Sequence, residues 1–315
     1  MDKESIMCEP ASFVLNWKTK KVFWSENGDS HELIIKENNL KEVDVRGNAT
    51  IVRIEIVPPN KDYRLPLNKW KFKTDVGGYR NDLLPGGYDE TEAEHVCRKE
   101  LKAWRKANVV MPNETCDVNN YKAAVYGTIE YVRGGTIKSV RGGTIKSVCG
   151  GTIKSVCGGT IESVHGGTIK YVDGGTIKYV RGGTIESVYG GTIKYVDGGT
   201  IKYVYGGTIK YVDGGTIESV RGGTIESVRG GTIKYVDGGT IKYVYGGTIE
   251  SVRGGTIESV HGGTIKYVYG ELPTKINGNA TIIAYSSLSK DILASSQAVL
   301  VDRSGDTVVC YVGTK

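Results

Sequence analysis

The sequence predicts an all-β fold: a β-solenoid, preceded by a small irregular α/β region and closed by a C-terminal β-hairpin cap. Three observations carry this expectation. The octapeptide Thr-Ile-x-x-Val-x-Gly-Gly recurs eighteen times between Val125 and Tyr269, first at Thr128-Ile129 and last at Thr264-Ile265. Its Ile column, Ile129 to Ile265, and its Val column, Val132 to Val268, never vary. Glycine pairs separate successive octads. A fixed short period means stacked, quasi-one-dimensional structure. Interior glycines at that frequency exclude a long helix, since each costs about 1 kcal/mol against Ala.

Within the octad, Thr-Ile-x-x-Val is short, β-branched and bounded by Gly, which reads as a strand followed by a tight turn. Glycine supplies the positive φ that such turns use. Stacking places identical side chains about 4.8 Å apart in Ile, Val and Thr ladders. Ile and Val lie three positions apart, whereas a straight strand alternates faces every second residue. Both can point inward if the strand bends at the two variable positions between them. The sequence leaves open whether a coil takes two octads or three. Two would give a stack of nine coils about 43 Å long.

Three positions per octad vary over a small menu: Lys or Glu, then Tyr or Ser, then Arg, Asp, Tyr, His or Cys. Each Asp at the third position follows Lys-Tyr-Val, and Arg221, Arg229 and Arg253 follow Glu-Ser-Val. This predicts opposite charges paired within an octad, which limits like-charge columns on a stacked surface. A solvated, self-neutralised face is the bland reading. The sharper one is a recognition surface on a constant scaffold, because Tyr offers rigid amphipathic contact area at low entropic cost. Its candidate residues are Tyr171, Tyr179, Tyr195, Tyr203, Tyr211, Arg221, Arg229, Tyr235, Tyr243 and Arg253.

The net charge of +6 comes mainly from the array, where signs are interspersed. That argues against nucleic-acid binding, which favours a denser basic stripe. Cys149 and Cys157 replace polar residues at one repeat position, as surface thiols rather than a disulfide or metal pair. His165 and His261 share that column. The first residues contain no apolar signal-like core and no run approaches a membrane span, so cytoplasmic synthesis is expected, with a virion location compatible.

Ahead of the array, Ser12–Leu15, Lys21–Trp24, Glu32–Ile35, Leu40–Val45 and Thr50–Ile56 read as short strands. Residues 1–60 therefore form an N-terminal β region. Gly47-Asn48-Ala49-Thr50-Ile51 is repeated after the array as Gly278-Asn279-Ala280-Thr281-Ile282. The repetition predicts that both ends are diverged octads with one extra turn residue. Residues 61–117 are expected to be irregular apart from one helix, about 90–107, capped by Asp89 and apolar along Ala93, Cys97, Leu101 and Trp104. The solenoid is expected over 118–270. In 271–315, Ser296–Asp302 and Thr307–Val312 flank the Gly-containing turn Arg303–Asp306, a hairpin that covers the last coil. Phosphate loops, nucleophile elbows and metal-ligand spacings are absent from the sequence, so no catalytic, cofactor or metal residue is assigned.

Written from Val, the octad Val-x-Gly-Gly-Thr-Ile-x-x resembles the Val-x-Gly octapeptide of trimeric β-helix spikes in phage tails and injection machines. The chain is also similar to tandem-repeat proteins of gut Bacteroidales and their mobile elements, whose Ala-Val-x-Asp-Arg-x-Gly tail is matched by Ala298 to Gly305 with one extra residue. These resemblances imply a solenoid and bring no activity. The expected role is a non-enzymatic scaffold for a macromolecular partner, a protein before any other, with no membrane association. A monomer is favoured and a homotrimer left open. The alternatives are a trimeric spike, or ice or crystal-surface binding through the Thr ladder.

Overall fold

An octad that ends in two glycines can be stacked on its neighbours only if each turn closes without side chains, and the backbone of the array is organised around that condition. The computed structural model describes residues 11–75, 84–269, 271, 273–285, 298–303 and 309–312. It divides into two compact units, Met1–Met111 with Asn120–Val125, and Pro112–Asn119 with Tyr126–Lys315.

In the first unit, β1 (Ala11–Asn16), β2 (Lys21–Phe23), β3 (Ile51–Val57) and β4 (Lys71–Thr74) form an antiparallel sheet in the order β2-β1-β3-β4. Glu32–Ile35, expected as a strand, lies instead in helix α1 (His31–Glu37). Ser30 caps it, its hydroxyl accepting from the Leu33 N–H, and Glu32 sits in the first turn. The alternation of this short segment fits either period, and the cap decides for the helix. Leu40–Val45 is likewise no strand. Asp44 there closes a turn by accepting from the N–H groups of Arg46 and Asn48, leaving only a Val43–Ala49 bridge. Lys71–Thr74 pairs with β3 although its stretch of sequence carries little periodicity. Helix α2 (Glu90–Asn108) follows expectation: Asp89 accepts from Glu92 N–H, and Ala93, Cys97, Leu101 and Trp104 are buried. Trp104 stacks on Tyr63, and Trp70 meets both edge-on. This unit also holds β5 (Val109–Val110) and β6 (Tyr121–Val125), paired in parallel.

The second unit is a parallel β-solenoid of about 11 turns. Each array strand pairs in parallel with the strand 16 residues later, Thr on Thr, Ile on Ile and Val on Val, as in Thr192↔Thr208, Ile193↔Ile209 and Val196↔Val212. A coil therefore takes two octads, and alternate octads lie on opposite sides of it. From Ile129 and Val132 up to Ile249, both columns are fully buried, which requires the strand to bend between them. The turns are satisfied coil to coil: Tyr205 N–H and Gly206 N–H both donate to Val188 O, at 2.8 and 3.2 Å, and Thr208 N–H donates to Gly191 O at 3.0 Å. The second glycine of each turn has φ between +67° and +86°. A Cβ on Gly207 would lie 2.8 Å from the carbonyl carbon and oxygen of Gly190 one coil below. No other residue allows both the dihedral and the approach.

Strand Thr115–Val118 pairs with Thr128–Val132 at the start of the stack. At its end, the strand Lys275–Ala284 continues the parallel ladder, Thr264 on Thr281 and Ile265 on Ile282, with an irregularity at Gly262–Asn279 that takes up one extra residue. The second copy of the pentapeptide is thus an octad with a lengthened turn. The first copy is not: Ile51 enters an antiparallel strand. The hairpin closes with Val299–Asp302 antiparallel to Val309–Val312. Of the expected hairpin, Ser296 and Gln297, the turn residues Ser304, Gly305 and Asp306, and Thr307 and Val308 lie outside the described residues.

Candidate binding surface

The bend that turns Ile and Val inward leaves the first and second variable residues facing out, and the third at the corner before the glycines. Ion pairs on these columns run between coils rather than within an octad, contrary to the pairing expected from sequence. Lys146–Glu130 (2.8 Å), Lys178–Glu162 (3.0 Å) and Lys234–Glu218 (3.9 Å) link first positions 16 residues apart. Arg181–Asp197, Arg229–Asp213 and Arg253–Asp237 link third positions at 3.6 to 3.7 Å. The stack spacing explains this, because the same column in the next coil is closer than the other end of the same strand. Glu130 holds the Lys146 ammonium above its ordinary value, first by the hydrogen bond and then by charge.

The second position has two depths. Ser187, Ser219 and Ser251 are buried, whereas Tyr171, Tyr235 and Tyr243 are about two-fifths exposed, at 36, 39 and 43%. Arginines stack on these rings: Arg229 lies 4.0 Å over Tyr211, Arg253 4.7 Å over Tyr235, and Arg221 4.8 Å over Tyr203.

The ten candidate residues do not form one surface. Tyr179, Tyr195, Tyr211, Arg229 and Tyr243 lie on one side of the coil stack, and Tyr171, Tyr203, Arg221, Tyr235 and Arg253 on the other. The first side brings together a ring stack, Tyr179–Tyr195 at 5.2 Å and Tyr195–Tyr211 at 5.1 Å, ended by Arg229. The second brings Arg221 onto Tyr203 and Arg253 onto Tyr235 as separate pairs. Three of the four third-position tyrosines, none among the ten, are the most exposed rings of the array: Tyr189, Tyr245 and Tyr269 at 50, 51 and 55%. The column of Tyr189 and Tyr269 continues past the repeats through Tyr285, which stacks on Tyr269 at 5.2 Å. The Gly278–Ile282 pentapeptide was the available signal, since aligning it as an octad places Tyr285 near that column.

Cys149 and Cys157 fall on opposite sides of the coil, each beside a Ser hydroxyl of its own octad. Among the described residues no group of three or more His, Cys, Asp or Glu could hold a metal ion, and no helix is long and apolar enough to cross a membrane. No protein-family model, curated protein or solved structure matches the chain.

Proposed function

We propose that the chain is a non-enzymatic repeat scaffold whose tyrosine and arginine columns bind a protein partner. One observation carries this reading. Exposed Tyr rings stand on a backbone whose turns are hydrogen-bonded coil to coil, and Arg guanidinium groups hold several of them in place. Tyr and Arg dominate the energetics of protein interfaces, and side chains already ordered lose little entropy on binding. The in-chain ladder of every array strand supports a single-chain coil over an intertwined trimeric spike.

The test is capture by the full chain, compared with a Tyr203→Ser/Tyr235→Ser variant and a Tyr179→Ser/Tyr211→Ser variant. Ser is already accepted at that position on both sides of the coil, so the fold is expected to persist by circular dichroism. Loss of a specific, stoichiometric partner from one variant and not the other supports the reading and tells which side carries it. Absence of any partner that responds to either variant overturns it.

A further inference from the structure

The two sides of the solenoid are built from the same octads but ordered differently. On the Tyr171 side, after Lys138-Ser139 and Lys154-Ser155, the first two variable residues alternate coil by coil over seven coils, Lys170-Tyr171, Glu186-Ser187, Lys202-Tyr203, and so on to Lys266-Tyr267. On the opposite side Lys178-Tyr179, Lys194-Tyr195 and Lys210-Tyr211 follow one another. The fold therefore tolerates like charges and adjacent Tyr in one column. Neutralisation along the stack would act on both sides alike and does not explain the alternation on one.

Alternation makes this side a row of charged steps. A Lys-Tyr coil projects, with Tyr171, Tyr235 and Tyr267 at 36, 39 and 41% exposure. A Glu-Ser coil is sunk, with Ser187, Ser219 and Ser251 at 7, 5 and 6%. Each projection is positive, each recess negative, and recess and projection have the same spacing. Such a surface is complementary to itself displaced by one coil.

We propose that the Tyr171 side docks on the same side of a second copy of this chain, with the two solenoid axes antiparallel and Lys-Tyr coils opposite Glu-Ser coils over the six coils from Lys170 to Glu250. A two-fold axis running along the strands keeps each column facing its own counterpart while it reverses the order of coils, which is the isologous arrangement of a closed dimer. Placed between the coils of Tyr203 and Ser219, it sets Lys202 against Glu218, Lys234 against Glu186 and Lys170 against Glu250. Each Tyr then covers a recessed Ser. The third column agrees, with Arg253 facing Asp173 and Arg221 facing Tyr205. Moving the axis by one coil keeps the rule and sets Arg221 against Asp237. Placing it on a coil instead puts Lys on Lys and Tyr on Tyr, so wrong registers are opposed by charge and by shape. From Lys170 to Glu250 each first-position charge gains an opposite charge across the interface, while Lys266 falls opposite Lys154 in this register and opposite Glu186 when the axis is moved by one coil.

This inference rests on reading the array as a binding scaffold, and it names the partner. The full chain is examined by sedimentation equilibrium at low and high ionic strength. The wild type is expected to dimerise, more weakly in salt. Ser187→Tyr/Ser219→Tyr fills two recesses and is expected to weaken the dimer by at least about tenfold. Ser227→Tyr, the same change on the opposite side, is expected to leave it intact. Glu186→Lys/Glu218→Lys and Lys202→Glu/Lys234→Glu are each expected to be folded monomers, and an equal mixture of the two to dimerise. A monomeric wild type overturns the inference, as does a dimer unaffected by both the recess-filling and the charge variants. If that monomer still captures a different protein through this side, the scaffold reading stands without the dimer. If it captures none from either side, both fall.

Discussion

Gly206 and Gly142 occupy the same place in the octad, the first glycine of the turn, yet Ala substitution should act on them in opposite directions. A Cβ on Gly206 would lie 2.3 Å from Tyr189 O and 3.2 Å from Tyr189 C, both backbone atoms of the coil below. Neither can swing away as a flexible side chain would, so the two coils must separate locally. That strains the turn hydrogen bonds to Val188 O and costs about 1–3 kcal/mol, the usual range for overpacking. A Cβ on Gly142 meets nothing within 4 Å, and only Gly143, the second glycine of that turn, has a positive φ. There Ala narrows the unfolded ensemble and stabilises by about 0.4–1 kcal/mol. The expected gap between the variants is about 1.5–4 kcal/mol. Gly207→Ala serves as an upper reference, because its φ of +74° adds left-handed strain of about 1–2 kcal/mol to contacts of 2.8 Å. Urea unfolding of the full chain, followed by circular dichroism, reads the midpoints. Amide exchange across the Tyr189 and Tyr205 turns reads local opening if the array loses cooperativity. Equal midpoints for Gly206→Ala and Gly142→Ala would refute the close approach of the turns.

Burial pushes the Cys97 thiol up to about 12, and its side chain is fully enclosed. At pH 8 about one Cys97 in ten thousand is thiolate, so iodoacetamide should label the exposed Cys149 and Cys157 of the native chain and spare Cys97 until it unfolds. Labelling of Cys97 at the rate of Cys149 would show that the Ala93, Cys97, Leu101 and Trp104 face of α2 is not packed against its unit. Glu32 is held below its ordinary 4.5, first by its backbone hydrogen bond, then by Ser30, with Arg53 adding charge. A depressed carboxylate stabilises fully above its unfolded value and loses that contribution as pH falls through the folded value. Glu32→Gln should therefore destabilise the chain near pH 6, by less than about 1 kcal/mol for so exposed a group. The difference should vanish below the folded value, and urea midpoints at pH 6 and pH 3 that differ from wild type by the same amount would contradict it.

Much of the solenoid was legible because its rules are local. Invariant Ile and Val, a β-branched run and a glycine pair each constrain one strand or one turn, and repetition multiplies a weak preference into an architecture. Helix α2 was legible for the same reason, since Asp89 and an apolar face of helical spacing lie within one stretch. Glu32–Ile35 reads as strand from its sequence yet lies in a helix, because so short a segment carries too little periodicity to outweigh the Ser30 cap. Lys71–Thr74 carries no such local signal, because its pairing with β3 is a contact between distant segments.

The candidate surface divides the same way. Residue types, menu and column identity belong to the sequence: Tyr, Arg and the Lys-Tyr/Glu-Ser coupling can be read from it directly. The sequence alone does not say which residues are neighbours in space. That depended on one number, two octads to a coil, which sets every contact at a separation of 16 residues. It separates Tyr171 from Tyr179, brings Arg253 to Asp237, and turns an irregular string of octads into one side that alternates from Lys170 onward and one that does not. The octad fixes strand and turn through local sterics. The closure of a coil is a packing decision, made where Ile and Val from both sides fill a common interior.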